Sequence, residues 1–397
     1  MAQALEHLRI LDLTALWPGP LATVMLADLG ADVLRLEAPD RPDLLQFLEP
    51  MDAGDAGAAW RMVNRNKRSL ALNLKAPGAA AIVAQLVQTY DIVIEQFRPG
   101  VLQRLGIDYE ELRKDQPRLI WCALTGYGQD GPYRDRAGHD LDFVALSGLA
   151  SRMSAGPSHP GALIGDAAGG SFPAIISILA AVIQRDRTGL GQFIDVAMAD
   201  GALWLNAWPA AEALTTGAAL PAGAHALEGG SLYGYYRCKD GGYLAMAALE
   251  PKFWQQFCAA IELPDLVDAD TTTPEKTSQV RELIANRLAQ EDRATWQGRL
   301  GAVDCCVESV LTTEQALAHP HYQARGAVVD VPLAGGGHVR QLGSPLRLSA
   351  SEPRYWRAGV EAGTDSRAVL AELGLSAEKI EQLCADGVVY APQGCPE

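Results

Sequence analysis

Short apolar runs and helix-length segments alternate through the first 130 residues, and this alternation restricts the chain to few architectures. "LRILDL" (8–13) reads as a buried strand and "PLATVMLADLG" (20–30) as an amphipathic helix closed by Gly30. "ADVLRLEAP" (31–39) is the next strand, stopped at Pro39. The pattern repeats with strands at "SLALNLK" (69–75), "DIVIEQF" (91–97) and "RLIWCALTGYG" (118–128), separated by helices over 77–90 and 100–114. Strands joined through helices need crossover connections, so a parallel, doubly wound α/β sheet with right-handed crossovers is predicted. Its topology is Rossmann-like. Glu37 even ends the second strand, where dinucleotide-binding folds place a ribose-binding acid. The glycine fingerprint that must accompany that acid is missing, because the first turn reads "TALWPGPLAT". Nicotinamide and flavin binding are rejected on that ground.

At 397 residues the chain exceeds what one hydrophobic core usually supports, and a second domain is expected. The large α/β domain is assigned to residues 1–208. An Ala-, Gly- and Pro-rich stretch, 209–230, reads as a connector. Residues 231–327 open with a β-hairpin in "LYGYYRCKDGGYLAMAAL" (232–249), continue with helical segments, and form a smaller α+β domain. The tail, 328–397, carries short strands and a last helix near 365–385, and is assigned back to the large domain. The longest apolar run, "FPAIISILAAVI" (172–183), is too short to span a bilayer and reads as a buried core helix.

The formal net charge of −15 argues against nucleic acid or anionic membrane as a partner. Seven scattered cysteines without a CxxC pair, and an N-terminus without a signal-peptide pattern, suit a reducing cytoplasm. An anionic ligand would then need local cations. "RMVNRNKRSLALNLK" (61–75) gathers Arg61, Arg65, Lys67, Arg68 and Lys75, either as a solvated turn or as a phosphate-binding patch. Arg98 in "EQFRPG" falls at the C-terminal end of a strand, where α/β folds bind ligands. No metal site is expected, since His319 and His321 form an HxH without a third ligand at convincing spacing.

Three further residues stay open on local evidence alone. Asp166 precedes a glycine-rich entry into the apolar helix, so it is an N-cap or a group facing a reacting centre at a helix N-terminus. His139, beside Asp140 at a helix start, is structural or a proton carrier. Glu250, before "PKFW", is a capping carboxylate unless a partner gives it work.

Taken together, "LDLTALWPGPLATVMLADLGADVLRLEAP", "NRNKRSLALNLK", "EQFRPGVLQRLGI", "LTGYGQDGPYRDRAGHD" and "RDRTGLGQFIDVAMADG" resemble the family III CoA-transferases. Within that superfamily the chain is most similar to the α-methylacyl-CoA racemase branch. Gly138-His139-Asp140 stands where transferases have Gly-Tyr-Asp, and Leu249-Glu250-Pro251 matches a racemase segment. The resemblance implies acyl-CoA racemase or epimerase chemistry at C2, with His139 and Asp166 as the two bases and Glu250 orienting the imidazole. It implies coenzyme A as part of the substrate, with no prosthetic group. It also implies an interlocked homodimer whose sites lie between the large lobe of one subunit and the small lobe of the other. Arg98 would meet the nucleotide end of CoA. Ala38 replaces a common phosphate-gripping arginine, so Arg35 or Arg41 would substitute, beside Arg65 and Lys75 of the basic run. The alternative that the resemblance leaves is a CoA-transferase with Asp166 as nucleophile. "GDAAGG" in place of an Asp-Phe-Gly-Gly run, and Asp142 in place of an asparagine, depart from the racemase pattern.

Overall fold

The computed structural model describes residues 2–52, 56–153 and 156–392. It divides into two compact units, Met1–Ser147 with His159–Leu205 and Gln323–Glu397, and Gly148–Ser158 with Asn206–Tyr322.

The first unit is built on a seven-stranded sheet. Its strands are β1 (Arg9–Leu13), β2 (Asp32–Glu37), β3 (Lys67–Leu72), β4 (Ile92–Glu95), β5 (Ile120–Thr125), β6 (Phe193–Ala197) and a C-terminal strand, Val389–Tyr390. The first six are parallel and follow the order β3-β2-β1-β4-β5-β6, with Val389–Tyr390 added antiparallel on β3. Burial of β1 to β5 is nearly continuous along each strand, as a sheet covered by helices on both faces requires. One face packs Leu11, Leu34, Leu70, Val93 and Trp121 against Ile82, Leu86 and, from the C-terminal helices, Leu370 and Ile380. The strand order reverses between β1 and β4, so the chain leaves these two neighbours in opposite directions and opens a crevice at their C-terminal ends.

Several elements differ from the sequence expectation, each for a local reason. The helix Pro18–Asp28 is buried almost all round instead of on one stripe. The helix expected over 100–114 is two, Val101–Arg104 and Tyr109–Asp115, because Gly106 takes φ +79° between them. Gly374, at φ +84°, likewise divides the last helix into Ser366–Glu372 and Ala377–Ala385. The apolar run at 172–183 belongs to a longer helical stretch. Among the described residues, Ile164–Thr188 is long and apolar enough to cross a membrane by length and composition. Its inner side packs in the core through Ala174, Ile175 and Ile178, as a core helix does, while Ile176 and Ile183 on the other side are 67% and 64% exposed.

The second unit holds a three-stranded antiparallel sheet of β7 (Gly234–Arg237), β8 (Tyr243–Met246) and β9 (Val307–Ser309). Its core gathers Tyr236, Phe257, Ile284, Leu288 and Trp296 from the sheet and the helices behind it. The stretch 209–230, expected as a bare connector, belongs to this unit and begins inside a helix, Ala207–Thr216.

Candidate active site

The crevice between β1 and β4 is floored by two turns. After β1 the chain runs through Leu16, a non-glycine residue at φ +63° held by its N–H donating to Asp43 Oδ2 at 3.1 Å. The Gly19 N–H then donates to Gln96 Oε1, in the turn after β4, at 3.3 Å. That second turn is pinned by Glu95, whose Oε2 accepts the Phe97 N–H at 2.7 Å. Among the described residues no cation is paired with Glu95, and burial pushes its carboxyl up to about 7. Arg98, the residue after Phe97, is exposed at the lip of the crevice.

Above the first turn sits an irregular helical entry. A single turn, Ile164–Asp166, passes into a π-helical segment, Ala167–Ser171, before the regular helix Phe172–Thr188. The wide π turn is permitted by glycines. A Cβ on Gly169 would lie 2.7 Å from the Met198 carbonyl oxygen, and one on Gly201 would lie 2.0 Å from the Gly169 carbonyl oxygen. The two backbones therefore touch where any side chain would part them. Ser171 Oγ donates to the Pro18 carbonyl at 2.6 Å, which fixes this entry to the turn after β1. Asp166 is thereby set at the crevice. It precedes the π-helical segment but does not cap it with its side chain: its backbone is helical at φ −68°, ψ −52°, and its carboxylate accepts no hydrogen bond among the described residues.

His139 is the N-cap of the helix Asp140–Leu146. Its N–H donates to Asp142 Oδ2 at 2.9 Å and its carbonyl accepts the Asp142 N–H at 2.8 Å, so Asp142 anchors the histidine backbone. Its imidazole is exposed. Gly138 is needed because a Cβ there would lie 2.7 Å from Phe143 Cε1 and 2.7 Å from Tyr127 Oη. The Gly-His-Asp segment thus rests on a pair of aromatic rings, Tyr127 and Phe143, packed edge to face. Asp140 Oδ1 accepts the Asp166 N–H at 2.9 Å and ties the two helix starts together. Desolvation, and then the Asp140 charge, raise the Asp166 carboxyl to about 6, while His139 acts to lower it. A group poised there exchanges protons near neutral pH.

The structure therefore gathers His139 and Asp166 in the first unit, and adds Asp140, Asp142, Tyr127 and Phe143, whose part the sequence reading had not drawn. Glu250 lies in the second unit. It is the N-cap of the helix Pro251–Ala260, but its side chain makes no capping hydrogen bond and is exposed.

The cations separate into two sets. Arg98, Arg41 and Lys75 are exposed and follow the C-terminal ends of β4, β2 and β3. Arg35 and Arg65, also expected at the ligand, are instead committed inside the fold. Arg35 is 3% exposed between Glu37 at 2.8 Å and Asp43 at 2.9 Å. Arg65 chelates Asp28 at 2.9 and 2.6 Å and bonds to the carbonyl of Leu342. Lys67, fully buried, donates to Asp12, Asn64 and the Pro20 carbonyl; burial drives it down to about 8 against the pull of Asp12. Arg68 forks onto Glu372. Most of the basic run is thus internal wiring, and only Lys75 of its predicted ligand residues faces solvent. His319 Nδ1 accepts the His321 N–H at 3.2 Å, and among the described residues no three His, Cys, Asp or Glu side chains gather as a metal site.

The doubly wound sheet thus carries exposed cations after three of its strands, and Asp166 and His139 lie on the joined helix starts beside it. The chain belongs to CoA-transferase family III, whose family model matches residues 5–366. It is 32% identical to the alpha-methylacyl-CoA racemase of Homo sapiens, over 97% of each chain. It is 31% identical to a succinate–glutarate CoA-transferase of Agrobacterium fabrum, over 93% of this chain and 95% of that one. A solved structure, a CAIB/BAIF family protein from Brucella suis, superposes with a TM-score of 0.82 at 27% identity, covering 94% of this chain and all of the other.

Proposed function

We propose that the protein is an acyl-CoA racemase or epimerase that inverts C2 of a 2-methylacyl-CoA-type thioester. The observation that carries this reading is the joined pair of proton carriers, an exposed imidazole and a half-buried carboxyl whose affinity for protons is raised to about 6. One base removes the C2 proton, the C–H electrons pass into the thioester carbonyl as an enolate, and the opposite acid returns a proton to C2 from the other face. Each base must hold its proton comparably in both directions, which an ordinary surface carboxylate would not do at neutral pH. Helix-start N–H groups beside Asp166 suit the enolate oxygen. Arg98, Arg41 and Lys75 would take the CoA phosphates. In this reading CoA enters only as part of the substrate, and the chain works in the cytoplasm as a homodimer. Glu250, from a second copy, orients the His139 imidazole.

The transferase reading is favoured by one specific observation, the comparable likeness to a CoA-transferase relative. It requires Asp166 to attack the thioester carbonyl, expelling CoA thiolate and leaving a mixed anhydride, which the thiolate then opens to an aspartyl-CoA thioester and the free acid. A carboxyl whose proton affinity lies near neutral pH suits reversible proton transfer, and this ranks the transferase second. The test is incubation of a 2-methylacyl-CoA in D2O without an acceptor acid. C2 deuteration that disappears in His139→Ala supports the racemase. No deuteration, together with a hydroxylamine-sensitive adduct on Asp166 and ping-pong transfer to a carboxylic acid, replaces it with the transferase.

A further inference from the structure

We propose that Asp140 is a positioning residue that holds Asp166 in place through its backbone N–H and sets a buried negative charge beside it. This inference rests on the reading of Asp166 as a proton carrier. Asp140 is the first residue of the helix Asp140–Leu146 and only 8% exposed, and it lies 26 residues before Asp166 in sequence. Its Oδ1 accepts the Asp166 N–H at 2.9 Å. Gly165 makes that approach possible, because a Cβ there would stand 3.1 Å from the Asp140 carbonyl oxygen, 3.2 Å from Oδ1 and 3.2 Å from Phe143 Cβ. The contact is therefore a fitted one, glycine on one side and a buried carboxylate on the other.

The same carboxylate is a negative charge beside a second acid. The charged groups on the elements around Asp166 are His139, Asp140 and Asp142 on the histidine helix, and Asp200 on the helix Met198–Leu205. The helix Phe172–Thr188 carries its charges, Arg185, Asp186 and Arg187, at its far end, and Pro18–Asp28 carries only Asp28, paired with Arg65. Of these, Asp140 is the one that raises Asp166 and His139 the one that lowers it. Asp140 therefore does two separable things: an acceptor oxygen fixes the Asp166 backbone, and a negative charge adds to desolvation in raising the proton affinity of its carboxyl.

Asp140→Asn preserves the acceptor and deletes the charge, and Asp140→Ala deletes both. Wild type and both variants are labelled with γ-13C aspartate, and Asp166 is assigned by its loss in Asp166→Asn. Its carboxyl is then followed by NMR from pH 4 to 8, beside C2 deuterium exchange across the same range. In Asp140→Asn the Asp166 midpoint should fall by about one pH unit, a tenfold change in its proton affinity. The acid limb of exchange should move with it while the plateau is kept within a fewfold. In Asp140→Ala the plateau should fall by about 100-fold, as a displaced catalytic group does. An unmoved midpoint in Asp140→Asn overturns the electrostatic part, and equal plateaus in the two variants overturn the anchoring part. If wild type exchanges no C2 deuterium but the midpoint still moves, the racemase reading fails and the charge coupling stands. An Asp140→Ala chain that does not fold leaves Asp140→Leu, which also lacks the acceptor but keeps the side-chain volume, to take its place.

Discussion

Replacing Asp166 with asparagine should remove proton transfer and at the same time stabilise the fold at neutral pH. The carboxyl is raised from 3.8 to about 6 by desolvation and by Asp140. Between those values the native chain keeps a proton that the unfolded chain has released, so stability falls as pH rises through that window. Below about 4 both states are protonated and the group contributes nothing. Above about 6 both are ionised and the full penalty is present. At about 1.4 kcal/mol per pH unit the ceiling is about 3 kcal/mol. Part of the carboxyl meets water, so about half of that, about 1.5 kcal/mol, is the figure to expect. Asparagine fills nearly the same volume, and the carboxylate it replaces has no hydrogen bond to lose among the described residues. Thermal melts of wild type and Asp166→Asn at pH 4, 6 and 8 should coincide at the lowest pH. They should separate by about 3 °C in the variant's favour at the highest. A variant that is no more stable at pH 8, or whose gain is the same at pH 4, would refute the argument, because neither desolvation nor the neighbouring charge would then be acting on Asp166.

Arg98→Ala should raise KM for acyl-CoA by about 10-fold, as loss of one charge-assisted phosphate contact does, with little change in melting temperature. Arg65→Ala should instead lower stability by about 3 kcal/mol, because Asp28 is left buried without its partner; urea melts separate the two cases. Asp142→Asn should leave activity and stability nearly unchanged, since an amide oxygen accepts the His139 N–H equally well, whereas Asp142→Ala should cost about 1 kcal/mol and most of the exchange rate. Gly201→Ala should destabilise by about 1–3 kcal/mol and reduce C2 exchange, because its methyl group would drive the π-helical segment off its neighbour and turn Asp166 away. Circular dichroism beside the exchange assay checks both effects.

The parallel sheet was legible because its strands are unbroken apolar runs between strong breakers, and a crossover is the only way to join them. What the sequence concealed depended on distance. Asp28 and Arg65 are 37 residues apart, and Arg68 and Glu372 are separated by 304. A charge run therefore looks the same whether its cations face a ligand or bury themselves against distant acids. The π-helical entry was equally hidden, since it exists only because Gly169 meets Gly201. His139 and Asp142 could have been paired from sequence, for they keep the N-cap to N3 spacing of a capping box. Tyr127 and Phe143 carried no such signal; only the contact with Gly138 gives them a role.

The placement of the cations bears on the state of Asp166, which desolvation and Asp140 set. In an acidic chain, a carboxyl stays protonatable only if no arginine or lysine lies beside it. Arg35, Arg65, Lys67 and Arg68 are each paired to an acid elsewhere in the unit. Only Asp140 and His139 are coupled strongly enough to shift Asp166. One buried lysine redirected to Asp166 would bring it back into the ordinary carboxylate range and end its use as an acid. The cations left free stand at the outer rim of β2, β3 and β4, positions suited to phosphates held away from the reacting carbon. On the proposed reading, the fold separates the charge that would grip the ligand from the charge that would spoil the proton transfer, and the burial of the basic run would be part of how the site works.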